Sequence, residues 1–528
     1  MAALLTFTAV GCGNTGGGAE VTEHNKAEAP TVGLESGSEK EEPAAEAEAT
    51  ATPEAEPEVT AEAEPEVTKG AEETGAEQGT SPEAPEEGTA EDAAQATPSP
   101  APAIPEEMTL ASAVYPVNVP CPVEEDFYGE DGTFDEEGYL AAQDEWSQNV
   151  MDRQAQVDGL DRDGVFAFTS RLVPEVLGAA SDKNAAVSPV NVYMAMAMLA
   201  EISGGATRDQ VLSVLGEESI ETLRENVSKL WLASYNDDAT GTTILGDAVW
   251  LRDDSVYKEE ALQQLADYYY ASAFEGKMGD AAYDEALHTW LNGQTHGLLT
   301  DQVSSLGFAP ETVLALTSSI YFKGGWSNQF SKNDTKTDIF HAASGDIEVP
   351  YLRQTEDQTY YKGDKFGAVC KAFNRGAMYF ILPDEGVTTA DVLADGQYME
   401  LFTDVETIPN HYLTVHLSVP KFDIASDLEL SRNLKNLGAG LVFDAALSDF
   451  TSITNDPLFV SAVKHAARVK IDEEGCEAAA YTAIMMETTA FMDDMEEMEF
   501  VCDKPFIFVI TGDWNLPLFV GVVNDPMK

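Results

Sequence analysis

From Gly13 to Glu107 the chain carries 25 acidic residues, three lysines (Lys26, Lys40, Lys69) and no aromatic residue, a net charge of −22. The rest of that stretch is mostly Ala, Pro, Thr and Gly. Such a segment exposes too little apolar surface to offset its chain entropy, and its like charges repel, so it is expected to stay disordered. A short unit, Glu54-Ala55-Glu56-Pro57-Glu58-Val59-Thr60, recurs as Glu62-Ala63-Glu64-Pro65-Glu66-Val67-Thr68. Two copies of a Pro/Glu unit suit a spacer. Residues 13–110 therefore read as a linker and 111–158 as an acidic extension with scattered aromatics and no evident role. The globular fold is left to residues 159–528.

The whole chain has a net charge of −65, so −43 remains outside the linker window. Nucleic-acid binding is excluded as a class, because phosphate recognition needs clustered Lys and Arg. Ahead of the linker, Met1 to Val10 is apolar or small and uncharged, and is followed by Gly11-Cys12. Ala9-Val10-Gly11-Cys12 resembles a bacterial lipoprotein cleavage box, although the apolar run is short and lacks a basic flank. The resemblance implies a leader in 1–12, lipidation of Cys12, and an extracellular protein that is cell-surface bound or secreted. A lipid anchor at Cys12 is the only membrane contact expected, since no run of 18 apolar residues occurs elsewhere.

The other cysteines are Cys121, Cys370, Cys476 and Cys502, far apart and without a C-x-x-C pair or His/Cys cluster. No metal site, no cofactor and no disulfide scaffold is indicated. The seven histidines stand in neither an H-E-x-x-H nor a G-x-S-x-G setting, and no Gly-rich phosphate loop follows a strand. An enzyme with catalytic residues of its own is not expected.

The folded part mixes strands and helices without strict alternation, which implies one large mixed α/β (α+β) domain. Asp163–Leu177 has helical apolar spacing. Ala185-Ala186-Val187 reads as a short strand, followed by Ser188-Pro189, an N-cap with proline at the first helical position, and a buried helix over 190–199. Buried strands are expected at 243–251, 313–322, 378–382, 413–419, 460–471 and 506–510.

Beyond 471 comes a charged turn, Asp472-Glu473-Glu474-Gly475, and then Cys476-Glu477-Ala478-Ala479-Ala480-Tyr481-Thr482-Ala483-Ile484-Met485-Met486. Strand side chains alternate between faces. One face would carry Cys476, Ala478, Ala480, Thr482, Ile484 and Met486, all small or apolar. That pattern suits a strand able to enter a sheet.

Eight collinear blocks from about residue 160 to the end resemble the serpin family. They include Asn184-Ala185-Ala186-Val187-Ser188-Pro189, Tyr321-Phe322-Lys323-Gly324-Gly325-Trp326, Pro383-Asp384-Glu385-Gly386, Pro420-Lys421-Phe422, Lys504-Pro505-Phe506 and Pro517-Leu518-Phe519. The resemblance implies three β-sheets, eight or nine helices and an exposed reactive-centre loop over about 473–503. It also implies suicide inhibition of a target protease through a covalent acyl-enzyme complex, with the inhibitor a monomer. The loop hinge would be Glu473, Glu474, Gly475, Cys476, Glu477, Ala478, Ala479, Ala480 and Thr482. Cys476 stands where inhibitory members usually carry Thr. Family spacing puts the bait bond at Thr489–Ala490, with Phe491–Met492 and Met492–Asp493 as alternatives. A polar cluster beneath the sheet would be formed by Ser188, Asn191, Ser318 and His465; Ser318 and Asn191 depart from the family's more usual Asn and Ser. The small-residue run after Gly475 favours inhibition over a non-inhibitory role in surface binding or chaperoning.

Overall fold

The computed structural model describes residues 2–11, 104–178, 183–476 and 495–528. Its centre is a helix whose sequence is apolar on every side. Ser188 caps it, its Oγ accepting the Asn191 N–H at 3.3 Å, and Pro189 occupies the first turn. All 14 residues of this helix, Pro189–Ile202, are buried. A helix without a polar face must lie inside the protein. Before it come a helix at Asp163–Leu177 and the strand Ala185–Val187, both with the expected bounds.

Two nine-stranded sheets pack around this core. The first sheet holds β1 (Ala2–Gly11), β2 (Thr109–Ala111), β4 (Asn236–Asp237), β5 (Thr242–Arg252), β6 (Ala271–Gly276), β7 (Thr312–Gly325), β13 (Phe422–Glu429), β14 (Leu458–Ile471) and β15 (Gly475–Cys476). The second holds β3 (Ala185–Val187), β8 (Lys336–Ala342), β9 (Gly345–Lys362), β10 (Phe366–Ala372), β11 (Ala377–Pro383), β12 (Asn410–Pro420), β16 (Glu497–Val501), β17 (Phe506–Thr511) and β18 (Pro517–Val523). The expected third sheet is not separate. The 18-residue β9 pairs with β8 and β12 along one part and with β10 at its far end, so what would be two sheets join into one. Among the described residues there are eleven α-helices rather than eight or nine; the surplus is two single turns, Thr300–Val303 and Glu400–Thr403.

The linker ends earlier than its composition suggests. Residues 104–110, assigned to it, are structured, because Ile104 and Met108 pack against an apolar cluster containing Trp250, Phe274, Tyr283 and Trp290. Thr109–Ala111 then adds a strand to the edge of the first sheet, beside β6. The extension that follows is docked on the body. Tyr115 lies 4.9 Å from the Trp231 ring, and Trp146 Nε1 donates to Asp238 at 3.3 Å. Arg153, on the helix Glu136–Gln156, donates to Asn236 Oδ1 at 3.2 Å and to Asn118 and the Tyr235 carbonyl. The remainder of 13–103 lies outside the described residues. Among the described residues, Cys370 and Cys502 are in no disulfide.

Candidate functional site: hinge and slot

The hinge begins where β14 ends. Asp472 closes the turn, its N–H donating to the Gly475 carbonyl at 3.0 Å and its Oδ1 accepting the Glu474 N–H at 2.9 Å. Trp326 holds the outside of this turn through Nε1 to the Asp472 carbonyl at 2.9 Å and its own N–H to the Glu474 carbonyl at 3.0 Å. Glu473 is nearly buried. Its carboxylate accepts from Lys421 Nζ at 2.6 Å and from Thr335 Oγ1 at 2.8 Å. Burial pushes that carboxyl up, but these donors and its own backbone outweigh it and hold it below the usual glutamate range. Gly475 is required for space and not for an unusual dihedral angle: a Cβ there would sit 2.3 Å from the Gly324 carbonyl oxygen.

From that turn Gly475 and Cys476 form β15, antiparallel to both flanks. Gly475 pairs with Gly325, and Cys476 pairs with Gly324 on one side and Ile471 on the other. Cys476 is buried, its thiol donating to the Lys470 carbonyl at 2.8 Å. Of the remaining hinge positions, Glu477, Ala478, Ala479, Ala480 and Thr482 lie outside the described residues. So do the bait-bond candidates Thr489, Ala490, Phe491 and Met492 with Asp493, and the lipidation candidate Cys12.

The four residues of the expected polar cluster are in contact in one chain of hydrogen bonds. The Ser188 N–H donates to His465 Nε2 at 3.1 Å, the Asn191 N–H to Ser188 Oγ, and Asn191 Nδ2 to Ser318 Oγ at 2.9 Å. All four are buried. Because His465 Nε2 accepts, the neutral ring carries its proton on Nδ1. Burial drives the imidazole down to about 3, so the ring is neutral at ordinary pH. Sequence reasoning missed a fifth polar member, Asp247 on β5, which pairs with Ser318. Burial pushes its carboxyl up to about 7, against the pull of the Ser318 hydroxyl. Its position inside an apolar strand was the only signal available. The Glu473 contacts to Lys421 and Thr335 were equally hidden, since they join residues far apart in sequence.

Between β14 and β7 lies β1, the segment read as a leader. It runs antiparallel to both, from Ala2 opposite Arg468 and Tyr321 to Gly11 opposite Leu458. Leu5 stands opposite His465 on one side and Ser318 on the other.

A model of the family described as "Serpin (serine protease inhibitor)" matches residues 164–526. The chain is 31% identical to Serpin-Z2A of Triticum aestivum over 373 residues, 65% of this chain and 90% of the wheat protein. It is 29% identical to an uncharacterised serpin-like protein of Thermococcus kodakarensis, over 69% of this chain and 85% of that one. The solved structure of Arabidopsis AtSerpin1 in its native stressed conformation superposes with a TM-score of 0.60 at 26% identity, covering 70% of this chain and all of that one. The chain belongs to the serpin family, whose members are in general protease inhibitors.

Proposed function

We propose that this protein is a suicide inhibitor of serine proteases of elastase-like or subtilisin-like specificity, with papain-like cysteine proteases as further targets. The observation that carries this reading is the hinge: β15 already pairs with both flanks of the slot, and small residues follow it. The target's nucleophile attacks the Thr489 carbonyl carbon. The bond to the Ala490 nitrogen breaks, that amine leaves with a proton, and an ester or thioester to the target remains. The freed loop then extends from Cys476 along the slot. From Cys476 to Thr489 the strand would advance by roughly 40 Å at ~3.3 Å per residue. The target, carried with it, is distorted before deacylation. No Arg or Lys lies between Lys470 and Lys504, so trypsin-like enzymes are not targets. Cleavage at Phe491–Met492 would instead suit a chymotrypsin-like target. Formation of an SDS-stable complex with an elastase-like protease tests the reading.

A second reading, a non-inhibitory serpin that binds a partner at the cell surface, is favoured by one observation: β1 already fills the slot. The two readings part on whether a protease is trapped or merely cleaves the loop. Anchoring at the cell surface through Cys12 belongs to either reading. It requires that a labelled fatty acid be incorporated by the wild type and lost in Cys12→Ala.

A further inference from the structure

The turn that starts the hinge is gripped by one short segment, Trp326 to Thr335. The backbone N–H groups of Trp326 and Phe330 donate to the Glu474 and Glu473 carbonyls, both at 3.0 Å. Lys332 Nζ donates to Glu474 Oε1 at 2.6 Å. The Trp326 indole and the Thr335 hydroxyl add their bonds to Asp472 and Glu473. How firmly the hinge is held therefore depends on what holds this segment from behind. The Phe373 ring stacks on Trp326 with centres 4.4 Å apart. The Ser327 N–H donates to the Ala372 carbonyl at 3.0 Å, and its Oγ to the Phe373 carbonyl at 2.6 Å. Ala372 is the last residue of β10, and Phe373 follows it.

Beside them on β10 is Lys371, the one buried lysine among the described residues. β9 pairs with β10 only at Tyr360, Tyr361 and Lys362, while its pairing with β12 continues back to Tyr351. Lys371 bridges the two strands where their ladder has ended. Its Nζ donates to Glu356 Oε2 at 2.8 Å and to Gln354 Oε1, both on β9. It also lies 5.1 Å from the centre of the Phe330 ring. The other oxygen of Glu356 accepts from Asn328 Nδ2. The ion pair thus reaches the gripping segment by two routes, the Phe330 ring and the Asn328 amide. A buried ion pair is a poor source of stability, because a well-packed apolar pair of similar volume does as well. What it can supply is a single arrangement, since any other leaves a charge buried and unpaired. The arrangement held here is that of the segment on which the hinge turn rests.

We propose that Lys371, paired with Glu356, is the positioning residue that sets how readily the hinge leaves its turn. It touches neither the turn nor the bait bond, and acts through Phe330 and Asn328 on the segment that does touch the turn. Loosening it frees residues 472–476 early while leaving the rest of the fold in place. The consequence for trapping rests on the inhibitor reading: a hinge that has slipped before a target arrives is lost capacity. The hold on the hinge itself does not rest on that reading.

The test compares the full chain with Lys371→Met, with Glu356→Gln, which keeps the shape if the first variant folds poorly, and with the double variant Lys371→Met/Glu356→Leu. Thiol labelling of Cys476, located by peptide mapping, and hydrogen exchange at the Trp326 and Phe330 amides read the hinge without reference to inhibition. Both should be at least about tenfold faster in Lys371→Met, with exchange in β17 and β18 unchanged. The double variant buries no unpaired charge, so its denaturation midpoint should return to that of wild type while labelling of Cys476 stays fast. Hinge labelling as slow as wild type in both single variants, or exchange raised equally in β17 and β18, would overturn the proposal. So would recovery of slow labelling in the double variant, which would make the pair a structural one only. Capacity to form an SDS-stable adduct with an elastase-like protease should decay on incubation at least about tenfold faster in Lys371→Met. Fast labelling with no adduct from any chain, wild type included, would leave Lys371 as the hinge's positioning residue and count against the inhibitor reading instead.

Discussion

Ser318 and His465 lie on the two strands that flank the slot and face each other across a single residue, Leu5. Together with Asp247 they make the buried row sensitive to pH in two opposed ways. His465 is held neutral down to about 3, whereas an unfolded histidine takes up a proton near 6.5. The unfolded chain therefore binds more protons in that window, and this group's contribution is lost as pH falls from 6.5 toward 3, by about 1.4 kcal/mol per pH unit. Asp247 acts oppositely. Its folded carboxyl titrates at about 7 against an ordinary 3.8, so the folded chain binds the extra proton, and its contribution is lost as pH rises from 3.8 through 7. Between about 4 and 6.5 the two slopes offset one another. Chemical denaturation across that range is expected to show stability rising with pH in Asp247→Asn and falling with pH in His465→Gln. Parallel curves in the two variants would remove this assignment.

The hinge makes its own acid prediction. Glu473 is held below the usual glutamate range, so its contribution is present above about 4.5 and is lost as pH falls through the folded value. Glu473→Gln keeps the shape and removes the charge that Lys421 and Thr335 address. It is expected to cost about 1–2 kcal/mol at pH 7 and less at pH 3. An equal cost at both pH values would assign the effect to packing.

Gly475→Ala tests the close approach of the hinge to β7. The new methyl would meet the Gly324 carbonyl at 2.3 Å, so β15 must separate from its partner strand. A loss of about 1–3 kcal/mol is expected, together with faster thiol labelling of Cys476, which is buried in the wild type. Unchanged labelling kinetics would show that β15 does not depend on this contact.

Ala480→Arg tests the inserting face. A loop continuing the β15 register alternates faces, and Ala480 falls on the same face as Cys476, which is buried. An arginine there would have to leave water on insertion, at a cost of several kcal/mol. The variant is expected to be cleaved as a substrate, with its stoichiometry of inhibition raised at least about tenfold. A stoichiometry equal to wild type would mean that insertion does not bury this face.

The strongly periodic elements were readable in the residues alone. Asp163–Leu177 and Ala185–Val187 match residue for residue, and the strand expected at 460–471 proves to be Leu458–Ile471. Local pattern was sufficient there because each element presents a continuous apolar face. The docked extension was not readable, because its helix Glu136–Gln156 has no fully buried residue and is held through single contacts such as those of Arg153 and Trp146. Nor was β1 readable as a strand. Ten uncharged residues fit a leader and a central strand equally well, and only the pairing partners distinguish them. The polar cluster was visible but for one member: Ser188, Asn191, Ser318 and His465 came from family resemblance, while Asp247 needed the register.

The trapping claim is tested most directly by reacting the full chain and its Ala480→Arg variant with an elastase-like protease. The products are resolved on denaturing gels, and the released C-terminal fragment is sequenced from its N-terminus. Trapping is expected to give, in the wild type, an SDS-stable adduct and a fragment beginning at Ala490, and in Ala480→Arg the same fragment with little adduct. Cleavage of both chains without any adduct, repeated with subtilisin-like and papain-like enzymes, would contradict it.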